Sequence, residues 1–296
     1  MAVTTTKVNT DGTTLERKVF DSILQGIREQ HLLLPLITDV SSQFNPGTKS
    51  FEVFSWGLAG NVADTPEDGS DIANGNMPIY STVIPCDQDK VVGFVEYDKG
   101  TYLSAVDYAA GFYSTAGFKH ARAMEAYVAG LMRAVANTSI TCTGDTSGTN
   151  KDLSEADIES LALAMDNANL PKEGRRLIVT PRQKHGLIRA FGLKAVDASG
   201  DSRALRDAFV SRLYGFDVYE ANTNILPAGA ANQAMAFVSD ACWWGLGLNV
   251  TIEQERQVQK ARTFHSVRVR YGAKVNDLEN ADGGSQTRIW LIGEGA

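Results

Sequence analysis

Hydrophobic and polar positions change their period several times along the chain, and those changes delimit the elements. Residues 1–14 are rich in Thr and have no apolar period, which predicts an extended arm. From Leu15 the apolar positions Leu15, Val19, Ile23 and Ile27 recur at helical spacing to about Glu29, with Thr13 or Thr14 as cap. The run Leu32, Leu33, Leu34, Pro35, Leu36, Ile37 follows. So apolar a tether must lie on a surface, either this subunit's or a neighbour's.

Beyond Phe44 the pattern turns to strands, at Ser50 to Trp56, Pro78 to Pro85 and Val91 to Tyr97. The stretch between the first two is small, acidic and rich in turn formers: Gly57, Gly60, Asp64, Pro66, Glu67, Asp68, Gly69, Asp71, Asn74 and Gly75. Its apolar residues, Trp56, Leu58, Val62, Ile72 and Met77, are too dispersed to build a core of their own and too numerous to leave in water. This predicts a projecting hairpin that buries those groups against another protomer.

Residues 103–137 carry the strongest helical period. Val106, Ala109, Tyr113, Ala116, His120, Met124, Tyr127, Leu131 and Val135 fall three or four apart, on one face. A helix over that range would be about 50 Å long against a mean of about 11–12 residues, which suggests a spine for the body. After a turn-rich stretch at Thr141 to Lys151, Ser154 opens a second helix with Glu155 and Asp157 in its first turn, and Leu161, Met165 and Ala168 continue its face up to Pro171. Further helices are predicted at 182–191 and 202–213. Strands are predicted at Arg176 to Thr180, Phe216 to Tyr219, Met235 to Val238, Val250 to Gln254, Ser266 to Tyr271 and Arg288 to Ile292. The fold class is α+β.

Composition adds that 296 residues, 43% hydrophobic and 21% charged, suffice for a globular protein with a sizeable core. A net charge of -7 argues against a surface built to grip phosphate. The most basic stretch, Gln254 to Arg262, carries Arg256, Lys260 and Arg262 without interleaved aromatics. It reads as a subunit contact in preference to a nucleic-acid contact. No run of 18 uncharged apolar residues and no basic segment leading into an apolar one occurs, so neither a membrane span nor a signal peptide is expected.

Candidate chemistry is sparse. His31, His120, His185 and His265 have no His or Cys partner at ligand spacing, and His120 lies on the apolar stripe as a packing residue. Cys86, Cys142 and Cys242 are scattered and odd in number, as expected of small buried hydrophobes in a reducing compartment. Neither G-x-S-x-G nor G-x-x-x-x-G-K-[ST] is present, and Gly245-Leu246-Gly247 lacks the rest of a dinucleotide loop. The oxygen-rich Thr143 to Gly148 misses the alternating carboxylates of a calcium loop and reads as a connection. No catalytic, cofactor or metal residue is assigned, and an α/β enzyme is the weakest alternative.

LPKEGRRLIVT at Leu170 to Thr180, closed by Pro181, resembles the helix, turn and strand that begin the axial region of tailed-bacteriophage major capsid proteins, those of short-tailed phages above all. The pattern continues with Leu213 to Asn222 and Leu226-Pro227, then with AMAFVSDACWWG and FHSVRVRYGAKVND. The match follows order and spacing over roughly 100–295 and covers the first hundred residues only in outline.

The resemblance implies an N-terminal arm (1–43), an extended loop hairpin with flanking strands (44–99), a peripheral-domain spine helix (100–140), an axial domain (141–246) and peripheral return strands (247–296). It also implies self-assembly into hexamers and pentamers of an icosahedral head around double-stranded DNA, within a virion built in the host bacterial cytoplasm. Scaffolding and portal proteins, and in some cases a decoration protein, are the expected partners. About a hundred residues precede the spine helix, and the arm and loop account for them, so a separate scaffolding protein is expected. An encapsulin-like nanocompartment shell shares the fold and is the main alternative.

Overall fold

The computed structural model describes residues 32–43, 49–56, 79–98, 108–144, 151–190, 212–221, 225–227, 233–276 and 288–293. A four-stranded sheet runs in the order β1-β9-β10-β4, with β1 at Thr38–Asp39, β9 at Cys242–Gln257, β10 at Arg262–Val275 and β4 at Gln88–Tyr97. A five-stranded sheet runs β11-β8-β5-β7-β6, with β11 at Ile289–Ile292, β8 at Ala234–Val238, β5 at Arg175–Val179, β7 at Phe216–Glu220 and β6 at Arg212–Leu213. The strands β2 (Ser50–Trp56) and β3 (Ile79–Pro85) form a separate two-stranded sheet. The helices are α1 (Tyr108–Val135), α2 (Glu155–Asn167) and α3 (Pro181–Ala190).

Most of the strand expectations hold within about three residues, but two are much too short. The expected strands at Val250 to Gln254 and Ser266 to Tyr271 are the centres of β9 and β10, a long antiparallel hairpin paired from Arg262↔Gln257 to Val275↔Cys242. Their flanks carry charges and glycines that interrupt a clean alternation. AMAFVSDACWWG divides at a turn into the end of one sheet and the start of the other. The return segment 247–296 divides likewise, since Ile289–Ile292 pairs with β8 and so joins the five-stranded sheet. Of the helix expected at 202–213, Arg212 and Leu213 form β6, and the rest lies outside the described residues, as do the helix at 15–29 and the arm.

The spine helix α1 has 28 described residues, about 42 Å at 1.5 Å each. Its buried stripe is Tyr113, Ala116, His120, Met124, Val128 and Met132. The expected stripe drifts off this face at its end, where Tyr127 and Leu131 are half-buried and Val135 is exposed. Each step of four residues advances the stripe by about 40° beyond a full turn, so the buried side winds around the helix and by Val128 and Met132 has turned away from Tyr127, Leu131 and Val135.

The second helix starts and stops as its sequence dictates. Ser154 and Asp157 form a reciprocal capping box, and the Asp157 carboxylate also accepts the Thr143 amide at 2.9 Å and its hydroxyl at 2.6 Å. At the other end Asn169 takes a positive φ of 54°, with Leu170 N–H donating to the Met165 carbonyl and Asn169 N–H to that of Asp166. This is a Schellman stop, and Arg175, 3% exposed, fastens it by donating to the Leu170 and Pro171 carbonyls and to Asp166.

The five-stranded sheet is a wall between two cores. Ile178, Met235, Phe237, Ile289 and Leu291 face the cluster that contains α1 and β10, whereas Leu177, Val179, Ala234, Ala236, Trp290 and Ile292 face the cluster around α2 and α3. Strand alternation alone produces this division, because successive side chains point to opposite faces. The continuous apolar reading of β8 and β11 follows from having both faces covered.

The apolar tether lies on its own subunit. Leu33, Leu34, Leu36 and Ile37 are buried in the α1 cluster, and β1 pairs in parallel with Trp243 and Trp244 of β9. A neighbour is therefore not needed to cover them.

Candidate intersubunit surfaces

The β2–β3 hairpin presents two unlike faces. Directly opposed residues share a face, so Phe51, Val53, Thr82 and Ile84 form one and Glu52, Phe54, Ser81, Val83 and Ile79 the other. The first docks the stem: Ile84 and Cys86 pack with Val40 and Trp243, with Phe51 and Val53 beside them. The second is open, with Phe54 57%, Ile79 56% and Val83 52% exposed. Of the expected loop contacts, Trp56 ends β2 opposite Ile79. Leu58, Val62, Asp64, Glu67, Asp68, Asp71, Ile72 and Met77 lie outside the described residues.

The stem is held to the body by two glycines. A Cβ on Gly272 would stand 1.8 Å from the Pro85 carbonyl oxygen, and one on Gly247 2.1 Å from the Cys86 sulfur. Gly245-Leu246-Gly247 therefore belongs to a strand that the β3–β4 turn approaches closely, not to a cofactor loop.

A second open surface lies on the four-stranded sheet. The α1 side of β10 holds Val267, Val269 and Tyr271, which are buried against Met124, Val128 and Met132. The register Arg268↔Val91, Ser266↔Gly93, Phe264↔Val95 and Arg262↔Tyr97 places the other set on the outer face. There Val91 is 57% and Tyr97 56% exposed. The Phe264 ring lies across Gly93, where any Cβ would stand 2.9 Å from its Cζ. One rim is closed by Arg268, whose guanidinium pairs with Asp89 and holds that carboxyl below the usual carboxylate range. Sequence periodicity missed this surface, because Val91 and Tyr97 are indistinguishable from core positions until the sheet's covered side is known.

The basic stretch forms the turn between β9 and β10, where Val258 is 77% exposed. Arg256 grips Asp98 in a two-pronged pair, with both N–O distances 2.5 Å, and lies 3.3 Å from the Thr263 hydroxyl. This partner depresses the Asp98 pKa. Its charge is thus matched within the chain. Arg262 donates to Gln257 at 2.7 Å, and Lys260 is exposed at the turn.

Several polar anchors were not anticipated. Glu125 is fully buried on α1 and accepts the backbone N–H groups of Leu32 and Leu33, the latter at 2.9 Å. His265 is also buried, 5% exposed. Gln254 donates to the Tyr113 hydroxyl at 2.8 Å, that hydroxyl lies 2.8 Å from His265 Nδ1, and Nε2 is 3.1 Å from Glu96. The chain of bonds fixes the first turns of α1 to the sheet, and Phe112 stacks on Phe94 at 5.3 Å. Gln183 is likewise buried, taking the Leu153 amide at 2.6 Å and donating to Lys151 and Gln233.

His120 packs as expected, donating Nε2–H to the Val267 carbonyl at 3.0 Å, with burial holding its pKa below the ordinary value. Cys86, Cys142 and Cys242 are buried, reduced thiols, and burial pushes that of Cys242 up to about 12. Thr143 and Gly144 tie the α1–α2 connection to Asp157 and Asp152. All these groups are committed to packing and anchoring.

No family model matches the sequence, and no curated protein matches it. Solved structures do match. A structure from Mycobacterium phage Che8 aligns at a TM-score of 0.66 with 20% identity, over 89% of this chain and 91% of that one. The capsid of cyanophage P-SCSP1u aligns at 0.66 with 17% identity, over 87% and 86%. A virus-like particle from Pyrococcus furiosus aligns at 0.54 with 15% identity, over 93% and 98%. The chain has the phage-capsid fold.

Proposed function

We propose that this chain is a major capsid protein, a non-enzymatic protomer that assembles through hexamers and pentamers into the icosahedral head around double-stranded phage DNA. The observation that carries the reading is reciprocal coverage: about nine-tenths of this chain aligns with about nine-tenths of the Che8 chain. The fold is therefore shared nearly end to end. Two open apolar surfaces support it, since a shell subunit must keep contact faces uncovered until it meets its neighbours.

On this reading the loop with Leu58, Val62, Asp64, Glu67, Asp68, Asp71, Ile72 and Met77 reaches an adjacent protomer, and Lys260 and Arg262 make a charged subunit contact. Net acidity keeps the inner wall from holding packaged DNA tightly. A scaffolding protein guides assembly, a portal protein occupies one vertex, and the mature location is the virion after assembly in the bacterial cytoplasm.

A nanocompartment shell is the second reading, favoured by the near-complete coverage of the Pyrococcus furiosus particle at a lower TM-score. Negative-stain microscopy of the expressed protein, alone and with the scaffolding protein of its phage, tests both. Closed polyhedral particles are expected; a monodisperse monomer in every condition refutes the shell. Particles from the native source that contain an enzyme in place of DNA would select the second reading.

A further inference from the structure

The solvent face of α1 carries charge of one sign. Around a helix that turns about 100° per residue, Lys119, Arg122 and Arg133 fall within about 60° of one another. Lys119 and Arg122 are exposed, and Arg133 is half-buried, its Nε–H donating to the Ala129 carbonyl at 3.1 Å. Glu125 is the only carboxylate between Tyr108 and Val135. It is fully buried and accepts the Leu32 and Leu33 amides, so α1 contributes no negative group to the face that holds the three cations. That is unusual in a chain of net charge -7. Between the cations the relief is low. Gly111, Thr115 and Ala126 are exposed and Gly130 is half-buried, and a Cβ at Gly111 would meet nothing within 4 Å.

Resting on the shell reading, we propose that Lys119, Arg122 and Arg133 on this face of α1 bind the phosphates of packaged double-stranded DNA. Lys119 and Arg133 stand about 21 Å apart along the axis, a span of about six base pairs. Long cationic side chains over a floor of small residues reach a rod-shaped polyanion that bulky neighbours would keep away. Charge and shape favour DNA over an acidic protein segment. A partner helix needs apolar groups to bury, and the one large hydrophobic side chain exposed on the described part of α1, Val135, lies about 160° around the helix from Arg133. Phosphates need only cations and room. Three cations in each copy make a weak contact, sensitive to salt and indifferent to base sequence, which lets the duplex slide as a head fills.

The test is binding of a short DNA duplex of mixed sequence to the unassembled full chain, followed by fluorescence anisotropy through a salt series. Each phosphate neutralised steepens the fall of log K with log salt by about 0.9, so Lys119→Gln, Arg122→Gln and Arg133→Gln together should flatten it by about 2.7. Lys119→Gln with Arg122→Gln, which spares the half-buried Arg133, should flatten it by about 1.8. A control with Lys172→Gln, Arg182→Gln and Arg212→Gln makes the same charge change outside α1 and should leave the slope as it is. In DNA-filled particles from the native source, formaldehyde should join the Lys119 amine to DNA, a readout that needs no variant.

A slope that the α1 variants leave unchanged, or that the control flattens as much, overturns the assignment, and so do filled particles in which Lys119 stays unattached. Polyglutamate that binds and is lost with the α1 cations, while the duplex does not bind, assigns the face to an acidic protein segment and overturns it equally. Any of these results alongside closed particles leaves the shell reading standing. Failure to form particles under any condition removes both.

Discussion

Truncation of the buried Glu125 carboxylate should release the tether from a subunit that has no neighbours. This carboxylate accepts two backbone amides, those of Leu32 and Leu33, at a position with no solvent access. Hydrogen bonds to charged groups contribute roughly 1.5–3 kcal/mol, so Glu125→Ala should cost about 3 kcal/mol or more once the amides are left bare. Leu33 is fully buried beside it, and Leu33→Ala should cost about 3 kcal/mol from lost transfer energy and the cavity.

Both changes act by undocking the same segment, so their effects should not add. With the tether already loosened, the second substitution removes less, and a coupling of at least about 1 kcal/mol is expected. Urea unfolding of the unassembled chain, followed by tryptophan fluorescence, measures all four corners of the cycle. Proteolysis near residue 32 should quicken in parallel. If both single variants unfold within about 0.5 kcal/mol of the parent, the tether is not docked on its own subunit, and its surface is a neighbour's after all.

Other outcomes follow from single contacts. Gly272→Ala forces a Cβ against the Pro85 carbonyl, and the resulting overpacking should cost about 3 kcal/mol by urea midpoint, whereas Gly111→Ala, with open space around it, should be neutral or mildly stabilising. Met124→Pro breaks α1 at its buried centre, costing about 3 kcal/mol or more, and should leave no soluble protomer in an expression trial. His120 has a depressed pKa when folded, so below about pH 6.5 the unfolded chain binds a proton that the native one refuses, and stability falls as pH drops. His120→Gln should flatten that slope below about pH 6.5 in urea titrations, and an unchanged slope would show that His120 does not titrate as described. Cleavage within 57–78 should be rapid in free protomers and suppressed in shells, and equal protection in both would place the loop within its own subunit.

The sequence by itself determined the elements whose signals are local. The 3.6-residue period of α1, the Ser154 and Asp157 box that opens α2 and the strand boundaries near Pro85 and Pro181 depend on residues within a few positions of one another, so they are legible in one dimension. The order of motifs from Leu170 onward also carried the fold, because each is a turn or strand signature fixed by Gly, Pro or a run of apolar residues. Tertiary structure decided whatever depends on which face is covered. The tether reads as equally apolar whether it lies at home or on a neighbour; only the meeting of Leu32 and Leu33 with Glu125, about ninety positions away, places it at home. Val91 and Val92 are both valines in one strand, yet the side on which α1 packs sets the second, half-buried, against the core and leaves the first part of an open stripe. Ile289–Ile292 joins the five-stranded sheet and not the hairpin that precedes it in sequence, because a strand's partner is chosen by long-range hydrogen bonding and shared burial, which no local pattern encodes.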